Sequence, residues 1–273
     1  MTYRQLISRL LQAGIENAAG EARLLIEHFC GCDASLLHPD TPLPENAQLL
    51  EAVRRRERRE PLQYILGSWF FWRQEYEVSP DCLVPRPDTE ILLEQALRHL
   101  PRGGRFLDLC TGSGCIAISL LCERSDLHAV AVELSAPTLA LAGRNAVRNG
   151  IGTDRLTLLQ GDVLCPDFLG KIGVFDVILS NPPYIPTRDL ATLPPETQQE
   201  PALALDGGED GLLFYRRMLE PDYLALLRPG GCLLFEIGYD QGDALRALAA
   251  ERGLTCTIIR DYGGNDRVAW VEI

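Results

Sequence analysis

The feature that most constrains this fold is an alternation that begins at residue 105. Seven short apolar runs read as strands: Arg105–Leu109, Ala129–Glu133, Leu156–Gln160, Val174–Ser180, Cys232–Ile237, Thr255–Arg260 and Val268–Glu272. Helical stretches separate the early ones, around Cys115–Cys122 and Pro137–Asn149. Strand and helix in this rhythm build a mostly parallel sheet with helices on both faces. Only Asp261–Arg267, with Gly263-Gly264, joins the last two strands. That connection is too short for a crossover, so these two pair antiparallel.

Upstream the pattern is helical. Thr2 and Gln5 form a capping box ahead of Leu6, Ile7, Leu10 and Leu11. A second helix carries Ala22, Leu25, Ile26 and Phe29 and stops near Gly31. Pro44 opens a third, through Leu49, Leu50 and Val53. Residues 1–75 therefore read as a small helical bundle. Residues 69–84 alternate aromatics and Val with polar residues, as in a hairpin or extended linker. Pro85-Arg86-Pro87 fixes a turn, and Asp88 or Thr89 caps the helix through Ile91, Leu92 and Leu97. The expected division is a helical domain over 1–75, a hairpin or linker over 76–87 and an α/β domain over 88–273. A length of 273 residues suits two unequal domains.

Composition excludes several classes. No apolar run reaches the ~18–20 residues of a membrane helix, and MTYRQLISRL lacks the apolar core of a signal peptide. A soluble cytoplasmic protein is expected, with no membrane partner. The net charge of −12 opposes stable, sequence-independent nucleic-acid binding, which needs Lys and Arg to neutralise phosphates. Arg54, Arg55, Arg56, Arg58 and Arg59 are the only dense basic run and read as a solvated helix face, with a docking surface for an acidic partner or RNA as the alternative. Nine cysteines without a CxxC pair, and four histidines away from them, read as reduced thiols with no metal site.

The first strand leads into Phe106-Leu-Asp-Leu-Cys-Thr-Gly-Ser-Gly-Cys-Ile-Ala117, a buried strand, a glycine turn and a helix start. Gly112 and Gly114 permit the sharp turn and close approach of a ligand. Open α/β sheets bind ligands at such strand ends. Two cofactors compete for this loop. Gly112-x-Gly114-x-x-Ala117 with Glu133 after the next strand fits the loose dinucleotide pattern. Three details favour S-adenosylmethionine: Asp108 inside the strand, poor company for a pyrophosphate but suited to a cationic ligand; Asp162 after the third strand, placed to accept from an adenine amine; and Asn181-Pro-Pro-Tyr184 after the fourth. Each acid alone could be an ordinary cap, whereas their recurrence at successive strand ends points to a site.

Two prolines stiffen the tetrapeptide and restrict Asn181 as well. An amide or aryl-amine NH2 is a poor nucleophile because its lone pair is delocalised. The side-chain oxygen of Asn181 and the carbonyl of Pro182 can accept its two hydrogens and aim the lone pair at a methyl group, so that alignment supplies much of the catalysis. Tyr184 offers a face for a planar group.

With these residues in hand, the chain resembles the HemK/PrmC family of protein-glutamine N5-methyltransferases. The likeness runs through Gln63-Tyr-Ile-Leu-Gly67, Leu83-Val-Pro-Arg-Pro-Asp-Thr-Glu90, Asp108-Leu-Cys-Thr-Gly-Ser-Gly114, Ser180-Asn-Pro-Pro-Tyr-Ile185 and Glu200-Pro-Ala-Leu-Ala-Leu-Asp-Gly-Gly-Glu-Asp-Gly-Leu212. NPPY alone is shared with DNA adenine-N6 methyltransferases; the combination is far more specific. The resemblance implies a Rossmann-like seven-stranded methyltransferase sheet with an antiparallel last strand, preceded by a small helical bundle that docks the protein substrate. It implies that Cys110, Thr111, Gly112, Ser113, Gly114 and Glu133 hold S-adenosylmethionine, with Asp108, Asp162, Val163 and Asn181 beside it, and that S-adenosylhomocysteine leaves. Cys110 stands where family members more often have Gly, and Val163 where many have an aromatic. Asn181, Pro182, Pro183 and Tyr184 would bind the substrate glutamine, with Pro85–Glu90, Arg86 among them, lining the site. The implied substrate is the Gly-Gly-Gln glutamine of class 1 peptide chain release factors, and the implied enzyme a metal-free monomer. The competing readings are a DNA or RNA adenine-N6-type methyltransferase, an NAD-dependent dehydrogenase and a non-enzymatic binding module.

Overall fold

The computed structural model describes residues 1–33, 35 and 37–273. They form two compact units: Met1–Ser68 with Leu193–Gln199, and Trp69–Thr192 with Glu200–Ile273.

The first unit is helical: α1 (Tyr3–Gln12), α2 (Ala18–Cys30), α3 (Ala47–Glu57) and α4 (Leu62–Leu66). The capping box opens α1, with both the Thr2 and Gln5 side chains engaged. Gly31, left-handed at φ 63°, ends α2. Asn46 opens α3, not Pro44: its side chain accepts from the N–H groups of Gln48 and Leu49. Leu6, Leu10, Leu25, Ile26, Leu49 and Val53 fill the core.

The arginine run is not a solvated face. On α3, Leu49, Ala52, Val53 and Arg56 are buried at helical spacing. Arg56, 5% exposed, pairs with Glu21 at 2.5 Å and Glu196 at 2.8 Å. Arg59 pairs with Glu196 at 2.6 Å, and Arg55 with Glu60. Only Arg54 and Arg58 remain well exposed. Burial alone would raise the Glu196 carboxyl, but hydrogen bonds from Arg59 and Arg56 outweigh it and hold it at about 2.

The helical unit ends at Ser68, earlier than the expected 75, and takes in a stretch from far downstream. The two-stranded sheet is correspondingly early: β1 (Ser68–Phe71) and β2 (Gln74–Glu77), turning at Trp72. Residues Pro87–Thr89 form a 3-10 turn before α5 (Glu90–His99), and neither Asp88 nor Thr89 caps that helix with its side chain.

The seven-stranded sheet uses β3 (Arg105–Leu109), β4 (His128–Glu133), β5 (Leu156–Gln160), β6 (Phe175–Ser180), β7 (Leu227–Glu236), β8 (Thr255–Arg260) and β9 (Asp266–Glu272) in the order β5-β4-β3-β6-β7-β9-β8. Pairings from β5 to β7 are parallel; β9 runs antiparallel to both β7 and β8. Helices α6 (Cys115–Glu123), α7 (Ala136–Arg148), α8 (Leu169–Ile172), α9 (Leu213–Met218), α10 (Pro221–Leu224) and α11 (Gly242–Ala250) complete the unit. Alternation along each strand feeds two cores. Phe106, Ala131 and Val177 join one with Leu92 and Ile116; Leu107, Val130 and Ile178 join the other with Tyr215 and Phe235. The reversal of strand order between β3 and β6 opens a crevice at their carboxyl ends.

Candidate active site

The crevice holds a cavity of about 1060 Å³ including its open mouth. Its wall takes Cys110 to Ser113 from the loop after β3, Glu133 from β4, Asp162 and Val163 from beyond β5, and Asn181 and Pro183 from beyond β6. Arg86 joins from the Pro-Arg-Pro turn. Asp108, Pro182, Tyr184 and Gly114 lie outside the wall.

Every second residue of the glycine loop is left-handed: Cys110 at φ 59°, Gly112 at 59° and Gly114 at 79°. The left-handed backbone at Gly114 is what calls for glycine there; an added Cβ would also stand 2.8 Å from the tip of the Ile118 side chain. Cys110 takes the strained conformation with a side chain present. Glu133 pins the loop: its carboxylate accepts from the N–H groups of Gly112 at 3.0 Å and Ser135 at 2.9 Å. Asp108, fully buried, accepts from the Thr111 hydroxyl at 2.6 Å through Oδ2, while Oδ1 has no partner. Burial pushes its carboxyl up to about 7, against the pull of Thr111. The Asp162 carboxylate accepts from Leu164 N–H at 2.8 Å, and Val163 brings an aliphatic surface to the wall. The nearby aromatic ring on the wall is Phe214, from α9.

Asn181 donates through Nδ2 to the Thr89 hydroxyl at 3.2 Å, and its Oδ1 makes no hydrogen bond among the described residues. The rest of the tetrapeptide is braced from behind. Ile185 N–H donates to Leu205 at 3.0 Å and Gly207 N–H to Ile185 at 2.8 Å, a short parallel bridge. Gly207 and Gly211 press on Tyr184: a Cβ on either would fall within 2.7 Å of its backbone. Gln241 donates to the Tyr184 carbonyl at 3.0 Å and the Gly211 carbonyl at 3.2 Å, and accepts from Gly238 N–H. The Tyr184 hydroxyl donates to Glu236 at 3.5 Å, and burial raises its own pKa. Arg86 pairs with the buried Glu200, which also accepts from Val84 N–H at 3.0 Å.

Sequence reasoning gave no role in the site to Glu236, Gln241 or Phe214, read Glu200 only as part of a family motif, and reached Thr89 only as a cap within the site-lining stretch Pro85–Glu90. A signal existed for Glu236: it is the one charged residue in the otherwise apolar run Cys232–Ile237. Thr89 reads as a cap until its partner, 92 positions away, is known.

The wall's charge discriminates between ligands. Asp81, Glu133 and Asp162 face it, and the one cation lining it among the described residues, Arg86, is engaged by Glu200. That balance suits a positively charged cofactor and repels a pyrophosphate. Among the described residues no cluster of His, Cys, Asp or Glu could hold a metal ion, and no helix is long and apolar enough to cross a membrane.

A family model described as the PrmC N-terminal domain matches residues 2–67, and one described as the methyltransferase small domain matches 87–193. The release factor glutamine methyltransferase of Geobacter sulfurreducens is 43% identical over 267 residues, covering 95% of this chain and 91% of its own. That of Caulobacter vibrioides is 40% identical over 268 residues, again 95% and 91%. The crystal structure of a methyltransferase from Pyrococcus furiosus shares the fold, with a TM-score of 0.54 at 21% identity over 72% of this chain and 87% of that one. Identity of this extent along nearly the whole length leaves no room for a dehydrogenase or a binding module: the chain belongs to the release factor glutamine methyltransferase family.

Proposed function

We propose that this enzyme methylates the side-chain amide nitrogen (N5) of the glutamine in the Gly-Gly-Gln motif of class 1 peptide chain release factors. The observation that carries the proposal is the fixed amide of Asn181, tied through Nδ2 with Oδ1 left open at the cavity wall. S-adenosylmethionine, when bound, supplies a methyl group on a sulfonium sulfur and leaves as S-adenosylhomocysteine. The loop Cys110–Gly114 lays its backbone along it, Glu133 offers the acceptor for ribose hydroxyls, Asp162 the acceptor for the adenine amine and Val163 an apolar flank. Asp108 acts from beneath by anchoring Thr111.

Asn181 Oδ1 and the Pro182 carbonyl accept the two amide hydrogens of the glutamine. Drawing on both hydrogens pulls the nitrogen toward tetrahedral geometry and frees its lone pair, and one of the two N–H protons is released to water once the methyl has been transferred. Rigidity supplies the rest, because the Pro182-Pro183 backbone and the Gln241 brace hold these acceptors in one place. Tyr184 and Arg86 complete the glutamine site, and no metal takes part. The helical unit docks the release factor. We place the enzyme in the cytoplasm, acting as a monomer and forming no stable complex with nucleic acid.

The test combines purified protein, tritiated S-adenosylmethionine and unmethylated release factor, with a second release factor whose Gly-Gly-Gln glutamine is replaced. Label in the first only is the expected result. No label in either, with cofactor binding intact, overturns the substrate and turns the search to nucleic-acid amines.

A further inference from the structure

We propose that Thr89 and Glu236 are positioning residues that decide which way round the Asn181 amide stands, so that its oxygen and not its NH2 meets the substrate amide. The inference deepens the proposed function and rests on it.

An asparagine amide has nearly the same shape when turned by 180°, and only its hydrogen bonds choose between the two faces. Thr89 by itself cannot choose, because a hydroxyl both donates and accepts. It faces Glu236, at the end of β7, and helps to hold that carboxylate's charge. An ionised carboxylate only accepts. In the relay the Thr89 proton points toward Glu236, which leaves only lone pairs for Asn181. Asn181 must offer Nδ2, as found at 3.2 Å, and Oδ1 is turned to the substrate. The Tyr184 hydroxyl donates to the same carboxylate from the other end of the tetrapeptide.

Glu236 is 1% exposed, and its Oε2 has no partner. A buried polar atom left bare is destabilising by roughly 1–3 kcal/mol. A leucine would fill this space without that penalty, so the carboxylate is explained by what it directs. Around it stand Arg267 from β9, Asp88 before α5, Tyr184, Tyr215 from α9 and Cys115 from α6. Burial prevails over the pull of Thr89, Arg267 and Tyr184 and pushes the Glu236 carboxyl up to about 7. Once protonated, Glu236 becomes a donor, the Thr89 proton can turn to Asn181, and the relay loses its polarity. Turnover should therefore fall as pH drops through that value.

The experiment measures kcat and KM for release factor methylation from about pH 5.5 to about pH 9. Wild type is set beside Thr89→Val, Thr89→Ser, Glu236→Gln and Asn181→Ala, with cofactor binding checked by calorimetry. Val and Gln are expected to lower kcat about tenfold to a hundredfold with KM changed by less than about threefold, because the lost interaction acts on the reacting geometry. Ser should restore most of the activity, and Glu236→Gln should lose the acid limb of the kcat profile. Near-normal kcat in Thr89→Val, failure of Ser to restore it, or an unchanged acid limb in Glu236→Gln overturns the relay. If Glu236→Gln does not fold, the Thr89 pair decides. An inactive wild type would defeat the proposed function itself; an inactive Asn181→Ala beside a normal Thr89→Val defeats only the relay.

Discussion

Both units of this molecule draw carboxylates out of water, partly in one and fully in the other, and they treat them in opposite ways. In the helical unit Glu196 meets two guanidinium groups, and its pKa falls to about 2. In the sheet unit Asp108 and Glu236 each keep one oxygen without a partner, and both rise to about 7. Burial acts in the same direction on all three; the presence of a close cation decides the outcome. The paired acid belongs to a joint that holds Leu193–Gln199 within the helical unit. The unpaired acids stand beneath the cofactor loop and behind Asn181, where chemistry is proposed. Stability is concentrated in one arrangement and given up in the other.

The largest effect tests the site itself. Asn181→Ala is expected to lower kcat about 10²–10³-fold, the scale seen when one preorganised transition-state partner is removed. Cofactor affinity, read by calorimetry, should hardly change. Joint loss of turnover and cofactor binding would recast Asn181 as part of the cofactor pocket.

Next comes the joint. Arg56→Ala takes from Glu21 its hydrogen-bonded cation and leaves Glu196 with Arg59 alone, and removing one partner of a buried pair costs up to about 3–5 kcal/mol. Urea unfolding should show that loss, with kcat of the folded fraction much less affected than by Asn181→Ala. A change below about 1 kcal/mol would class the cluster with ordinary surface pairs.

The sheet acids give a smaller effect of opposite sign. A carboxyl raised on folding adds stability that is complete below its unfolded pKa and lost as pH rises through its folded one. For Asp108 that window runs from about 4 to about 7, or on the order of 3–4 kcal/mol. Glu196, lowered on folding, adds stability above about 4 that is lost as pH falls toward 2. Asp108→Asn should therefore unfold at higher urea than wild type at about pH 8 and show little of that gain at about pH 4. Asp108→Ala, which removes the anchor of Thr111, should weaken cofactor binding. Unchanged affinity would make the carboxylate purely structural.

Much of this was legible locally. The capping box at Thr2, the glycine turn after β3 and the strand running into Asn181 each declare themselves within a dozen residues. Arg56 was legible too, since it continues the Leu49, Ala52, Val53 stripe, but a dense arginine run reads first as a solvated surface. The strand expected over Cys232–Ile237 begins earlier: β7 starts at Leu227 and absorbs Arg228-Pro-Gly-Gly231 as an irregularity between the Leu227 and Cys232 pairings. The rest depends on partners distant in sequence. Glu196 lies 140 positions from Arg56, and Asn181 92 from Thr89, so no periodicity could mark them. A polar residue whose partner is remote looks like a cap or a strand end.

The smallest effect concerns Cys110, where the resemblance leads one to expect glycine and the backbone explains why. At φ 59° an L side chain presses on the following carbonyl, a strain of roughly 1–2 kcal/mol that glycine escapes. Cys110→Gly alone would not isolate that strain, because it also removes a partly buried thiol and loosens the unfolded chain. Cys110→Ala supplies the reference: it removes the thiol and keeps the strain. In a regular strand or helix alanine exceeds glycine by about 0.5–1 kcal/mol. At this position the order should invert, with Cys110→Gly the more stable of the two by about 0.5–1 kcal/mol in urea unfolding. If alanine is the more stable, the left-handed turn at residue 110 is not what the native backbone adopts, and the cofactor loop must be shaped by Gly112 and Gly114 alone.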